Sequence, residues 1–342
     1  MRRVGVALAA LLVLTGCARE AADERPQGAP SPSASRTSDT TRNRLLGALA
    51  DVSGEGPAAA YLEYGEPAWW RGFGGSGDRR RWLPAAGSGL GSLAHAAAAL
   101  PKTTGMTPEA GARAIAIGVP PQQAFRFDGG VDPGAVRAKL AALGAKPGRL
   151  GGHDGFSFAP DTEIDPSRTI VPGVTNQLNK VVVTDTTVAT ATATGPLAAV
   201  MGSGPSLADS PDHAAMAACL GDVAAATIMA PSVPGSVTLY GVGLRRPAGL
   251  GDRPVNIICV LPSASTAAEV EQSLTTRLTP TANTRNGGTY GDYAAEITHD
   301  RVRADGRTVL RTVLTLNDRA DVLFVNRLLY QGELEALSNP SR

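Results

Sequence analysis

The sequence VNIICVL, at residues 255–261, is almost continuously apolar and predicts a strand buried on both faces of a sheet. Thr266-Ala267-Ala268-Glu269 follows with the spacing of a capping box, which predicts the start of a helix. Further along, Asp305-Gly306 is a strong hairpin turn signal between two strand-like stretches, 293–302 and 308–316. This order of strand, helix and hairpin predicts an α+β unit in which an antiparallel sheet is backed by helices.

An earlier part of the chain has the same order of elements. Asp132-Pro133 predicts a helix start, because a capping carboxylate precedes a proline at the first helical position. Thr184-Asp185 predicts a turn between two strands. Asn317-Asp318 predicts the corresponding turn in the later part of the chain. The interval from Asp132 to Asp185 is 53 residues, and the interval from Thr266 to Asp318 is 52 residues. The two parts of the chain therefore match in both order and spacing.

This match favours an α+β fold of two similar units, residues 45–205 and 206–342, each an antiparallel sheet backed by helices. An internal duplication explains the similarity, and chance similarity of ordinary α+β patterns is the alternative. A groove between the units, or one continuous sheet, is where we expect a ligand to bind.

Local sequence predicts several further elements. Strands are expected at 58–64, 122–127 and 322–325. Helices are expected at 90–100, 107–117 and 212–229.

Composition limits the class of protein. The chain has 342 residues, and its hydrophobic fraction of 43% is ordinary for a globular protein. It carries 28 arginines and 4 lysines and is rich in alanine and glycine, a bias typical of GC-rich genomes such as those of actinobacteria. The formal net charge of +1 provides no basic footprint, so we expect no nucleic-acid partner.

The N-terminus has the features of an export signal. A basic Met-Arg-Arg start precedes an apolar run over residues 4–14, which is too short to span a membrane comfortably. Leu14-Thr15-Gly16-Cys17 then resembles a bacterial lipobox. The resemblance implies that residues 1–16 are a lipoprotein signal peptide. It also implies that Cys17 becomes the first residue of the mature protein and carries the lipid. An ordinary secretory signal is the alternative, and Arg2-Arg3 alone is a weak signal for twin-arginine export.

These features predict a location at the cell membrane, on its extracytoplasmic face, with the lipid on Cys17 as the membrane partner. One acyl chain binds a membrane only reversibly, whereas the multiple acylation that the resemblance implies holds a protein firmly. Residues 17–44 are then the lipid anchor and a disordered linker, rich in proline, serine and threonine and lacking large apolar residues. Such a coil has a root-mean-square reach of roughly 28 Å.

The remaining two cysteines are expected to pair. Cys219 and Cys259 lie in a compartment that permits disulfides, and an even pair there is most simply one bridge. Two buried free thiols are the alternative.

A cluster of tryptophans and arginines is the one candidate binding surface. All three tryptophans of the chain lie within 14 residues, among arginines and glycines. Exposed tryptophans beside arginines suit a sugar ring or a lipid interface with anionic groups. Packing in a core that is poor in other large side chains is the alternative. The candidate ligand-binding residues are Trp69, Trp70, Arg79, Arg80, Arg81 and Trp82.

Motifs for catalysis are missing from the sequence. It contains no Gly-x-Ser-x-Gly, no His-Glu-x-x-His and no Walker-type loop. Its histidines have no short ligand spacing, and we interpret them as surface or hydrogen-bonded polar residues: His95, His153, His213 and His299. We therefore assign no catalytic residue, no metal and no cofactor.

The function expected from these observations is that of a membrane-anchored extracytoplasmic lipoprotein that binds a ligand or partner of the cell envelope, and we lean against an enzyme. An envelope hydrolase that uses carboxylates, for example on glycan, is one alternative. A carrier that holds a lipid or small molecule between helices and sheet is another.

Overall fold

A computed structural model describes residues 43–73, 79–165 and 169–339, and it shows a mixed α+β fold with one antiparallel sheet. The signal peptide, Cys17 and most of the predicted linker lie outside the described residues. The strands in these ranges are β1 (Tyr61–Gly65), β2 (Arg113–Ile117), β3 (Ala124–Asp128), β4 (Lys146–Leu150), β5 (His153–Ser157), β6 (Lys180–Val183), β7 (Thr187–Ala191), β8 (Val223–Met229), β9 (Val237–Arg245), β10 (Val255–Pro262), β11 (Ala294–Ala304) and β12 (Arg307–Leu316).

Short helices alternate with these strands. The α-helices of the described ranges are α1 (Arg44–Ala50), α2 (Pro57–Ala60), α3 (Pro67–Gly72), α4 (Arg79–Trp82), α5 (Leu100–Thr104), α6 (Pro133–Ala142), α7 (Thr194–Val200), α8 (Pro211–Leu220), α9 (Ala267–Arg277), α10 (Phe324–Tyr330) and α11 (Glu333–Ser338). The 3-10 helices are Leu83–Gly87, Gly91–Ala96, Pro108–Ala110, Leu207–Asp209 and Tyr290–Asp292. None of the helices in the described ranges is long and apolar enough to cross a membrane.

The sheet contains twelve strands in the order β11-β12-β10-β9-β8-β1-β2-β3-β7-β6-β5-β4. Strands of both predicted units belong to it, and β1 and β8 join them at the centre through five antiparallel residue pairs. Read outward from this join, one side runs β1-β2-β3-β7-β6 and the other runs β8-β9-β10-β12-β11. The relative order of the strands is therefore the same on both sides, and the first side carries an additional pair, β5 and β4.

Helices cover both faces of the sheet. Leu62 and Ile228 point to the first face, where α1, α7 and α8 complete the core. Side chains alternate along each strand, so the neighbouring residues point to the second face. The helices on that face pack as two separate groups. The helix α6 packs on Phe125 and Phe127, whereas α9, α10 and α11 pack on Ile258 and Val260.

Several predicted elements are confirmed with their predicted chemistry. The carboxylate of Asp132 accepts a 2.9 Å hydrogen bond from the Ala135 amide and caps α6. Asp305 and Gly306 both have positive φ, 49° and 71°, as the tight hairpin between β11 and β12 requires. The predicted disulfide is present: Cys219 and Cys259 are bonded and fully buried, and they connect α8 to the strand β10.

Two predicted helices are wrong where they meet the centre of the sheet. The helix expected at 107–117 is a single turn, Pro108–Ala110, followed by the strand β2. The helix expected at 212–229 ends at Leu220, because Gly221 has a φ of 69°, and β8 follows. Both strands pair with β1, so tertiary pairing overrides the helix preference of their alanines.

Other boundaries also differ from the predictions. The strand expected at 58–64 begins at Tyr61, because Pro57 opens the helical turn α2. The strand expected at 322–325 is replaced by α10, and the helix expected at 90–100 is a 3-10 turn followed by α5. At the linker boundary, Asn43 caps α1 by accepting from the Leu46 amide, so in the described part of the chain the helix begins at Arg44, the last residue of the predicted linker.

Candidate functional site

A cavity of about 690 Å³ lies on the second face of the sheet, between its two helical coverings. Its floor is formed by β1 and by the ends of β2 and β8, and its walls by the segment Gly91–Ala96 and by α10. We call this cavity the central groove. Its polar lining residues are Tyr61, Glu63, Ser88, Ser92, His95, Gln123, Asn326 and Tyr330. Its apolar lining residues are Pro84, Ala94, Ala116, Val119, Met229 and Leu323.

The alternation of β1 places its polar side chains in this groove. Leu62 and Tyr64 are buried in the core of the first face, so Tyr61 and Glu63 point to the second face. The loop above them comes very close to the sheet at Gly89, where a Cβ atom would lie 2.4 Å from the carbonyl oxygen of Ala114. Gly89 also has a φ of 78°. A glycine is needed there, and it brings its amide within reach of Glu63.

A continuous series of hydrogen bonds crosses the floor of the groove. The Gly89 amide donates to Oε1 of Glu63 at 3.0 Å, and the Tyr61 hydroxyl donates to Oε2 of Glu63 at 3.3 Å. The hydroxyls of Tyr61 and Tyr330 are 2.9 Å apart. We call these residues, with Thr227 and Asn326, the hydroxyl chain.

The far end of the hydroxyl chain reaches the other half of the sheet. The hydroxyl of Tyr330 lies 3.4 Å from Oγ1 of Thr227, which accepts from the side-chain amide of Asn326 at 3.2 Å. The chain thus connects β1 with β8 and α10. The hydroxyls of Tyr61, Tyr330 and Thr227 can each donate and accept, so the bonds between them can reverse direction when a proton is added or removed, whereas the N–H groups of Gly89 and Asn326 only donate.

Glu63 is electrostatically unusual. Burial in the groove raises the pKa of its carboxyl above the ordinary range, and the hydrogen bonds from Gly89 and Tyr61 offset this only in part. Burial also raises the pKa of the Tyr61 hydroxyl, with a further contribution from the charge of Glu63. Among the described residues, no cationic side chain forms an ion pair with Glu63. The groove therefore favours a neutral carboxyl that can donate a proton in a hydrogen bond.

Glu66, three residues further on, provides the contrast. It is buried, with 4% of its surface exposed, yet it is paired with the guanidinium groups of Arg44 and Arg246. The hydroxyl of Tyr64 also donates to it at 2.5 Å. This carboxylate is compensated and holds β1 to neighbouring segments, whereas Glu63 faces an open cavity without a compensating charge.

The tryptophan cluster is built into the packing beside β8. Trp70 and Trp82 are only 4% and 2% exposed, and their ring centroids are 5.9 Å apart in a stacked arrangement. Both indole groups donate to backbone carbonyls, of Ala224 and Leu250. Trp69 is half-buried and stacks on Phe73 at 4.7 Å. Trp69 and Trp70 are consecutive residues of the helix α3.

The arginines predicted beside these tryptophans are not gathered into one surface. Arg81 donates to the carbonyl of Asn317 at 2.9 Å and pairs with Asp318. Arg80 is exposed, and the side chain of Arg79 lies outside the described residues. The structure thus places Trp70 and Trp82 in the core and leaves Arg80 in solvent.

The groove contains residues that sequence reasoning did not select. Among the histidines, His95 lines the groove, whereas His213 is buried beside Ser210 and His299 contacts Thr312. The signal in the sequence that could have indicated the site is the glutamate between two tyrosines in the short strand YLEY, residues 61–64. In the described ranges, no group of three or more potential ligands is arranged to hold a metal ion.

Comparison of the chain with protein-family models, with curated proteins and with solved structures found no match.

Proposed function

We propose that this protein is a lipid-anchored, extracytoplasmic binding protein that holds a small ligand in the central groove and does not catalyse a reaction. The observation that carries the proposal is the groove itself. Its volume of about 690 Å³ suits a small molecule, and apolar walls face a short series of convergent polar groups. This combination is typical of ligand sites.

The location rests on the sequence. The lipobox at Leu14-Thr15-Gly16-Cys17 supports a lipid on Cys17, and the linker that follows supports a folded part that stands off the membrane surface. The ligand is then a component of the cell envelope, because the groove is presented there. The Cys219–Cys259 disulfide is consistent with such a compartment.

A carboxylate hydrolase is the second candidate, and the raised pKa of Glu63 favours it, because general acids need such a shift. Glycoside hydrolysis normally uses two carboxyl groups across the scissile bond. In the described lining of the groove, Glu63 is the one carboxylate. A binding site therefore fits the lining better than an active site of this class.

We also propose that the two halves of the sheet are related by duplication. The equal strand order on either side of β1 and β8 supports this relation. The antiparallel pairing of β1 with β8 also supports it, because such a pairing places a local twofold axis near Glu63 and Thr227. If the halves arose by duplication, two differences have accumulated between them. The hairpin of β4 and β5 belongs to the first half alone, and α7 and α10 pack on opposite faces. The groove then lies on the axis between the repeats.

Native mass spectrometry of protein purified from its own envelope tests the binding function. Ser92 lines the groove, so Ser92→Trp fills it. The control Ala98→Trp adds the same side chain at an exposed position just after the segment Gly91–Ala96, outside the lining of the groove. We expect a bound mass on the wild type and on Ala98→Trp that is missing from Ser92→Trp. A wild type without bound mass, or a Ser92→Trp protein that keeps it, contradicts the proposal.

A further inference from the structure

We propose that the ligand of the central groove is an uncharged amphiphile. Its hydroxyl-bearing head joins the hydroxyl chain at Glu63, Tyr61 and Tyr330, and its apolar part lies along Met229, Leu323 and Val119. This inference rests on the proposed binding function and specifies the chemistry of the ligand.

The lining of the groove argues against an anionic head. Recognition of phosphate or carboxylate groups normally uses arginine, lysine or converging backbone amides. No lysine or arginine is present among the described residues that line the groove. The backbone amide of Gly89 is already used by Glu63. An anion would therefore meet the carboxyl group of Glu63 with no lysine or arginine to compensate it, and His95 is the one ionisable nitrogen group of the described lining.

A cationic head is disfavoured for a different reason. It would need an ionised carboxylate at Glu63, the acidic residue of the described lining. Burial opposes this ionisation, and the hydrogen bonds that Gly89 and Tyr61 donate to Glu63 offset the effect of burial only in part. Ion pairing in the groove would thus have to overcome the desolvation of Glu63 as well as that of the ligand.

A neutral hydroxyl matches the polar floor. The hydroxyls of Tyr61 and Tyr330 are 2.9 Å apart, and a ligand hydroxyl next to them can donate to one neighbour and accept from another. A protonated Glu63 can donate to the Tyr61 hydroxyl, which leaves the Tyr61 proton free for Tyr330 or for the ligand. Sugars and other polyols carry several such groups on one small head.

The apolar walls match the second part of an amphiphile. Met229 lies on the floor beside the hydroxyl chain, and Leu323 lies on the wall that leads to α10. Val119 at the rim is 58% exposed, which is a large fraction for a valine next to a cavity. Methionine adapts its shape to irregular apolar groups, so these residues can cover an alkyl chain without a specific fit.

Three amphiphiles with the same octyl chain separate these possibilities: octyl β-glucoside, octyl phosphate and octyltrimethylammonium. Each is titrated below its micelle concentration into the full chain by isothermal titration calorimetry. We expect the glucoside to bind about tenfold or more tightly than either charged analogue, a difference of about 1.4 kcal/mol. Ser92→Trp should abolish binding of the glucoside, and Ala98→Trp should preserve it.

A pair of variants at position 63 tests the role of the carboxyl. Glu63→Gln keeps an oxygen for the Gly89 amide and a donor for the Tyr61 hydroxyl, so it imitates the neutral carboxyl and should retain the glucoside affinity. Glu63→Ala removes both contacts and should weaken binding. Circular dichroism and melting temperature confirm that each variant is folded.

The outcomes are distinct from those of the binding test. A charged analogue that binds as tightly as the glucoside, or a groove that takes none of the three, overturns the inference. The same holds if the mass carried by the envelope-purified protein is identified as a charged molecule, although binding itself would then stand. A native protein without any bound mass contradicts the proposed function instead.

Discussion

Glu63 and Thr227 lie directly opposite each other at the middle of the five residue pairs that join β1 to β8. Both side chains point to the second face of the sheet, and the hydroxyl chain connects them through Tyr61 and Tyr330. The join between the two halves of the sheet and the floor of the central groove are therefore the same structure. A substitution at Glu63 therefore affects both the central groove and the pairing of β1 with β8.

Glu63→Gln is expected to become progressively more stable than the wild type as pH rises above 4.5, the ordinary pKa of a glutamate side chain. Burial raises the pKa of Glu63 in the folded protein, so the native state binds this proton more tightly than the unfolded chain does. The stability that the proton provides is full below pH 4.5 and is lost as pH rises from there through the raised pKa of Glu63 in the folded protein. Glutamine does not titrate, and it loses nothing there.

Melting temperatures of both proteins across the acidic-to-neutral range measure this effect. Glu109→Gln is the matched control, because it makes the same substitution at a position that is exposed on a turn. The gap between Glu63→Gln and the wild type should widen with pH, and that of the control should stay nearly constant. Parallel curves for Glu63→Gln and the wild type would show that the groove does not hold the proton.

Removal of the disulfide is expected to reduce the free energy of unfolding by about 4 kcal/mol, according to the chain-entropy relation for a loop of this size. Cys219 and Cys259 are 40 residues apart and connect α8 to β10. Urea unfolding of Cys219→Ala/Cys259→Ala, compared with the wild type, measures the loss, because alanine adds no polar group to this core. Alkylation in denaturant of the chain in a Cys17→Ser background, without reductant, should label no cysteine. Two labelled thiols would contradict the bond.

Trp70→Ala is expected to destabilise the fold by about 3–5 kcal/mol, the usual loss for a large buried aromatic side chain. Trp70 is 4% exposed and packs against Trp69, Phe73 and Trp82. Arg80→Ala, at an exposed neighbour, should leave the melting temperature nearly unchanged. If Trp70→Ala keeps its stability and loses envelope binding instead, the tryptophan cluster is the ligand site and the central groove is not.

The sequence predicts best where structure depends on local chemistry. The cap at Asp132 and the turn at Asp305-Gly306 both follow from side chains or backbone angles within a few residues. The apolar strand β10 is similarly clear, because it is buried on both faces. These elements indicate an antiparallel α+β fold without information about distant contacts.

The centre of the sheet could not be predicted in this way. The strands β2 and β8 are rich in alanine, which favours helix locally, and they become strands because both pair with β1. The groove depends on the same long-range pairing. Tyr61 and Tyr330 are 269 residues apart, and no local pattern indicates that their hydroxyls meet. Contacts formed where the two halves of the sheet meet can be identified only when the strand pairing is known.

Cys17→Ser is expected to move the protein out of the membrane fraction, or to leave it as an unprocessed precursor, because serine cannot carry the lipid that the lipobox implies. Ser31→Ala in the linker is the matched control, since it changes a hydroxyl near the anchor without touching the cysteine. Metabolic labelling with a fatty-acid analogue, followed by separation of membrane and soluble fractions, gives both readouts. Label should appear on the wild type and on Ser31→Ala alone. A Cys17→Ser protein that is processed to mature size and still stays in the membrane fraction would require another means of attachment, and the groove would then have to reach its ligand without the lipid tether.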